Sequence, residues 1–352
     1  MPKLKPKDNK TNSFKLTLSY FDPTSTLPIF HTRPGQFDTR GNFYLTTLHK
    51  LKHDEDQFKF NVKHGYLPNI FLKVAENYTN VRTQIKMKSS NSNIDVHDII
   101  FLDTNYLDMI GTTYNHLNYM THVPTLLPNE SALSSNTNFN QAETDYYSER
   151  NAPGLAIVDN FLSEKALNGM LELLQSSTIW YEIKNGYLGA YFTAGMSSNL
   201  LIQIEQELRL KMPHVVGNLT LEQVWAYKCD TTSPEGLAIH ADEALVNINL
   251  WLTPTDANLG VRVEETKFDI YEDDGVAKTK EEKGKVDGYG DGGGGGLIVW
   301  LTRDEGLPTN WNFQSLNHWD ETESMYDFVK STNSRRVVVP YKQNRATIFH
   351  SR

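Results

Sequence analysis

Cysteine is almost absent: Cys229 is the only one in 352 residues. That excludes an internal disulfide and any cysteine-based zinc cluster, so a metal site here must draw on histidine and carboxylates. A lone thiol also suits a reducing compartment, and a cytoplasmic protein is expected. Long apolar runs are missing too. No stretch approaches the roughly 18 to 20 apolar residues that cross a bilayer. The basic start, Met1 to Lys10, is followed by no apolar segment of the kind a secretory signal carries. No membrane partner is expected. Positive charge is in deficit, with 34 Lys and Arg against 43 Asp and Glu and a formal net charge of -9. That balance argues against general nucleic-acid binding, because such surfaces replace phosphate counterions with Lys and Arg. No Gly-x-Ser-x-Gly elbow occurs, and no repeat of about 34 residues is visible. The glycine run Gly292 to Gly296 lacks the Lys-Ser/Thr and the following helix that a phosphate-binding loop needs.

What is present supports a sizeable core, with 39% hydrophobic residues in a chain long enough for two domains or one elaborated domain. Residues 1–123 read as an N-terminal region, partly helical. Its helix-compatible stretch runs from about Thr46 to Tyr66, with a ragged apolar stripe of Leu48, Leu51, Phe58 and Phe60. Residues 124–153 are rich in Asn, Ser, Thr and Pro, which predicts a solvated linker. From residue 154 to 352 the pattern sharpens. Leu155, Ile157 and Val158 form a short strand. Ser163 then N-caps a helix with Leu167, Met170, Leu171 and Leu174 at i, i+3, i+4, i+7. A second helix is capped by Ser198, lined by Leu201, Ile204 and Leu208, and ended by Pro213.

Strand periodicity follows. Ala244, Val246, Ile248, Leu250 and Leu252 alternate with Asn247, Asn249 and Trp251. Further strands are expected at Leu297 to Leu301, Arg336 to Tyr341 and Ala346 to Phe349. The charged and Gly-rich segment 262–296 has almost no apolar content and is expected to loop out between two strands as a flexible insertion. Together these signals predict an α+β protein, a β-sandwich or barrel buttressed by helices and preceded by a small, mainly helical N-terminal region.

One constellation carries chemistry. Non-haem iron sites hold Fe(II) with two imidazoles and one carboxylate, leaving positions open for co-substrate and oxygen. Residues two apart on extended backbone point the same way, so a His-x-Asp pair can converge on one ion. His240-Ala241-Asp242 fits and leads directly into the alternating strand. Two similar pairings, His53-Asp54-Glu55 and His318-Trp319-Asp320, adjoin no strand, and both histidines are expected to be solvated surface residues. A cupin-like hydrolase or isomerase would supply more histidines than cluster near His240. Cys229 reads as a packed strand residue.

Long stretches of the chain resemble a family of 2-oxoglutarate- and Fe(II)-dependent oxygenases that often carries tetratricopeptide repeats ahead of its oxygenase domain. The likeness runs through Trp180-Tyr181, Gly186-Tyr187-Leu188-Gly189-Ala190-Tyr191, Gln223-Val224-Trp225-Ala226-Tyr227-Lys228, His240-Ala241-Asp242 and Val246 to Leu259. It continues in Leu297-Ile298-Val299-Trp300, Trp311-Asn312-Phe313, Val339-Pro340-Tyr341 and Asn344 to Phe349, and so covers about residues 150 to 352. A weaker echo spans Lys50 to Pro68. The resemblance implies a double-stranded β-helix (jelly-roll) domain, with His240 and Asp242 as iron ligands and 2-oxoglutarate as co-substrate. The substrate would be a protein side chain or a small metabolite that is hydroxylated. It places Tyr227, Asn249 and Trp251 near the metal or co-substrate, core packing being the other reading of Trp251.

Two departures stand out. The family's distal histidine falls in a pattern like Ile-Phe-x-Ser-x-Leu-x-His, of which His350 occupies only the first variable position, and the chain ends at Arg352. The distal histidine, the basic residue for the 2-oxoglutarate carboxylate and the last strand are therefore expected beyond it. His350 is either a substitute metal ligand or an ordinary strand-end histidine. Arg345 either salt-bridges the co-substrate or forms a structural ion pair. The rival reading is a non-catalytic β-helix domain that binds a ligand or partner without turnover.

Overall fold

A computed structural model of the chain describes residues 13–21, 45–88, 94–115, 125–148, 154–184, 186–192, 195–229, 242, 244–255, 270–271, 296–301, 329 and 334–350. It is an α+β protein, and every strand pairing is antiparallel. The chain opens on strand β1 (Ser13–Phe21). A helical unit follows, tied by the short ribbon of β2 (Leu45–Thr46) and β3 (Ile100–Phe101). Helix α1 (Leu48–Lys63) starts where the Thr47 side chain accepts a hydrogen bond from the Lys50 amide at 3.0 Å. It packs on α2 (Phe71–Lys88) and, with α3 (Thr104–Ile110), encloses Leu51, Phe58, Tyr78, Val81, Leu102 and Ile110.

The expected solvated linker is instead largely packed. Residues 125–148 bury Ala132 and Leu133 and form helix α4 (Phe139–Tyr146), N-capped by Asn138. Phe139, Ala142 and Tyr146 recur at helical spacing and join the main core. The Asn and Ser residues of this stretch act as caps and turn formers rather than as marks of a solvated boundary: Asn138 accepts from the Gln141 amide, and Ser134 from Asn136.

Past this stretch the elements are β4 (Leu155–Val158), α5 (Glu164–Ser176), β5 (Glu182–Lys184), β6 (Tyr187–Tyr191), α6 (Asn199–Lys211), β7 (Thr220–Cys229) and β8 (Val246–Trp251). Ser163 and Ser198 cap α5 and α6 as their positions predict. The remaining strands are β9 (Ile270–Tyr271), β10 (Leu297–Leu301), β11 (Arg335–Val339) and β12 (Ala346–His350). Of the insertion 262–296, the described residues are β9, which pairs with β11, and Gly296; the rest lies outside the described residues.

Seven strands form one sheet in the order β4-β12-β8-β1-β7-β6-β5, and three form another in the order β10-β11-β9. Helices cover one face of the large sheet. There Leu16, Leu18, Val224, Ala226, Ile248, Leu250 and Ile348 meet Met170, Leu174, Ile204 and Leu208. The small sheet covers the other face, with Leu155 and Trp251 packed on Val299, Val337, Val339 and Tyr341. Strand β8 is buried at all six positions because it has a layer on either side. Its alternation separates helix side from sheet side rather than core from water.

The turn before β12 pins this arrangement. Asn344 adopts a left-handed conformation (φ 61°), which Asn tolerates better than most residues. Its side chain accepts from the Leu162 amide and donates to the Leu162 carbonyl, both at 2.8 Å. Asn344→Ala strains the backbone and leaves both buried groups of Leu162 unmet. A loss of about 2 to 4 kcal/mol in urea unfolding is expected; a loss well under 1 kcal/mol would contradict this.

Candidate site between the two sheets

Asp242 lies at the entrance to β8, where its carbonyl accepts from the Ala244 amide at 2.8 Å. Its carboxylate is held from within that strand: Asn247 Nδ2 donates to Asp242 Oδ2 at 2.9 Å. Asn247 is fully buried, and Asn249, two residues on and on the same strand face, is nearly so. The sheet side of β8 therefore carries two amides and then Trp251, which packs on Tyr341 at 6.0 Å between ring centroids.

A tyrosine wall stands on β7 and β6, across β1 from β8. Tyr227 of β7 packs edge-on against Tyr187 of β6, centroids 4.8 Å apart. Gly189 lies directly opposite Tyr227 in the β6–β7 ladder. A Cβ at Gly189 would come within 2.9 Å of the Tyr191 ring and 3.1 Å of Glu182 Cβ, so the glycine leaves room for the rings. Burial pushes the Tyr227 hydroxyl well above its usual range, and the neighbouring Tyr191, Tyr187 and the Asp242 charge push the same way. Tyr227 thus remains a protonated phenol, hydrogen-bonded with Tyr191.

The other predicted residues fall as follows. His240 and His318 lie outside the described residues. Arg345 is engaged with Asp159: Nε donates to Oδ1 at 2.6 Å and Nη2 to Oδ2 at 3.0 Å, while Nη1 donates to the Pro340 carbonyl at 2.9 Å. Lys342 joins the same carboxylate at 2.9 Å. The two cations hold the Asp159 carboxyl below its usual range although its partial burial works against them. His350 pairs with Val246, whereas Asn247 pairs with Phe349. By strand alternation His350 shares the helix-side face with Ile348. It lines a cleft of about 340 Å³ there with Tyr147, His214 and Val246. The structure brings Asn247 onto Asp242 and does not bring His350 or Arg345 to them; Tyr227 stands on β7 at the level of Trp251, with β1 between the two strands. Among the described residues no three His, Cys, Asp or Glu side chains converge as a metal-binding group.

Sequence reasoning singled out Asn249 and passed over Asn247, although the two share a strand face. It also misplaced His53. That histidine is 4% exposed, because α1 docks on the back of β7 and on the segment after α5. Lys228, whose side chain faces away from Tyr227, places Nζ 2.5 Å from His53 Nδ1. The His53 ring meets Trp180 edge-on at 5.7 Å. Lys50 bonds both oxygens of Asp54 at 2.5 and 2.6 Å. Gln57 donates to the Ser177 carbonyl and Asn61 to the Ser176 carbonyl. Burial holds His53 well below its usual pKa, with Lys228 and Lys50 adding to the effect, so it is a neutral acceptor for the Lys228 ammonium.

Compared with protein-family models, with curated proteins and with solved structures, the chain finds no match in any of the three.

Proposed function

We propose that this chain is an Fe(II)/2-oxoglutarate-dependent oxygenase domain of the double-stranded β-helix type, hydroxylating a protein side chain or a small metabolite. One observation carries the reading. Asp242, the carboxylate of the His240-Ala241-Asp242 pair, is gripped by the buried Asn247 through one oxygen, at the mouth of a strand covered on both faces. The facing of a seven-stranded and a three-stranded antiparallel sheet across Trp251, Val299 and Val339 supports the β-helix architecture.

Asp242 suits a carboxylate ligand, since the hydrogen bond from Asn247 to Oδ2 fixes its rotamer from within β8. Asp242 is among the described residues; His240 joins it on the strength of the spacing alone, and His350, on the helix side of β12, does not. Bound iron with 2-oxoglutarate and oxygen would supply the C–H oxidation, with succinate and CO2 as co-products. The chain's own work is positioning and exclusion of water. The neutral, Tyr191-bonded phenol of Tyr227 and the β8 amides give the site polar walls, and the Trp251–Tyr341 contact packs the two sheets together.

The test is calorimetric titration of the full chain with Mn(II), a redox-inert stand-in for Fe(II), with and without 2-oxoglutarate. One ion per chain is expected, bound tighter when 2-oxoglutarate is present, with binding lost in His240→Ala at unchanged circular dichroism. Equal binding by wild type and His240→Ala would sink the assignment.

A further inference from the structure

The strand that separates the two halves of the site comes from the start of the chain. β1 pairs with β7 on one side and β8 on the other, and among the described residues it links β4-β12-β8 to β7-β6-β5 in the sheet order. The same β1 positions stand opposite the Tyr227 face of β7 on one side and the Asn247, Asn249 and Trp251 face of β8 on the other. Lys15 pairs with Tyr227 and with Trp251, Thr17 with Trp225 and with Asn249, and Ser19 with Gln223 and with Asn247. Neighbouring strands lie about 4.8 Å apart, so strands flanking a third lie about 9.5 Å apart. The presence of β1 therefore sets how far β7, with the Tyr227 wall, stands from β8, with Trp251, Asn249 and Asn247.

Seating is specified from the helix side. Leu16 and Leu18 are both fully buried and share one core with Val224, Ala226, Ile248 and Leu250. A one-residue slip would turn both leucines to the opposite face, so the register is strongly set. Without β1, both β7 and β8 would present unpaired edges to each other. They would either stay open to water or close directly, bringing the Tyr227 wall about 4.8 Å nearer to Asn249.

We propose that residues 13–21 are a positioning element of the site, seated within the same chain between β7 and β8 and required for ligand binding at Asp242. The ligand's identity rests on the oxygenase reading; the seating does not.

Register supplies the test. Ser13 stands opposite Cys229, the chain's one cysteine, and directly opposed residues of an antiparallel pair have Cα separations within the disulfide range. Mild oxidation of full-length Ser13→Cys is expected to consume both thiols and give a monomer with altered mobility on a non-reducing gel. Its Mn(II) affinity should stay within about threefold of wild type. Leu18→Asp, which forces a carboxylate into the core beneath β1, is expected to weaken Mn(II) binding at least tenfold. A disulfide-linked dimer, two thiols that stay free, or wild-type Mn(II) affinity in a folded Leu18→Asp chain would each overturn the proposal. Should wild type bind no Mn(II) while Ser13→Cys still closes within the chain, the oxygenase reading and the site role of β1 both fail, and the seating alone survives.

Discussion

Asp242→Ala is expected to weaken Mn(II) or Fe(II) binding by more than about 100-fold, and Asn247→Ala by about 10- to 100-fold. The first change removes a ligand outright, and two-donor sites hold divalent ions poorly. The second leaves the ligand present and releases its rotamer, because the Nδ2 to Oδ2 bond is what aims the carboxylate from inside β8. The order of the two effects is itself diagnostic. A site in which Asn247 served only the strand core would lose stability in Asn247→Ala while keeping its metal affinity. Calorimetry with Mn(II), alongside urea unfolding of each variant, separates these outcomes. Retention of wild-type affinity in Asp242→Ala would remove Asp242 from the site.

Asp54→Ala is expected to cost about 3 to 5 kcal/mol of stability, because it strips the counter-ion from the buried Lys50 ammonium and removes one of the two carboxylates that favour the buried Lys228 charge. Lys50 is 3% exposed and Lys228 5%. Burial lowers the Lys228 pKa from 10.5 to about 8, against the pull of Asp56 and Asp54 and with the push of Lys52 and Lys50. The folded state thus releases this proton near pH 8 and the unfolded chain only near 10.5. Between those values the unfolded state binds more protons, so the Lys228 contribution makes stability rise with pH by about 3 kcal/mol in all. Lys228→Met should abolish that rise relative to wild type and gain about 1 to 3 kcal/mol at pH 7, where the wild type carries a buried charge. His53 behaves oppositely in window though not in sign. Its folded pKa lies well below 6.5, so stability is lost as pH falls below about 6.5 and unfolding becomes the route to protonation. Urea midpoints from pH 5 to 10.5 check both; superimposable pH profiles for wild type and Lys228→Met would contradict the buried-charge account.

Much of the second half of the fold was legible because its signals are local. Ser163 and Ser198 announce α5 and α6, and the Val246 to Trp251 alternation announces β8. The N-terminal strand was not, although Leu16 and Leu18 alternate with Lys15, Thr17 and Ser19. Its partners lie some 200 residues away at 220–229 and 246–251. Helix α4 was hidden by composition, since its capping and turn residues are those of a loop. His53 was misjudged for the reason that a helix face is assigned by what docks on it, and Trp180 and Lys228 come from far along the chain.

The His-x-Asp spacing singled out Asp242 as a candidate. The Asn247 grip depends on the turn through Ala244 that folds residue 242 back over residue 247, a geometry the motif does not encode. Arg345 was open between a co-substrate and a structural partner in sequence, and its bidentate contact with Asp159 requires the β4 turn to meet the β12 turn.

The most direct test of the oxygenase reading is anaerobic addition of 2-oxoglutarate to the full chain loaded with Fe(II), followed by visible absorption. A 2-oxo acid chelated to Fe(II) gives a charge-transfer band, so the account predicts a band that saturates at one 2-oxoglutarate per chain and vanishes in Asp242→Ala. A featureless spectrum at saturating Fe(II) and 2-oxoglutarate, from a chain whose fold is intact by circular dichroism, would contradict it.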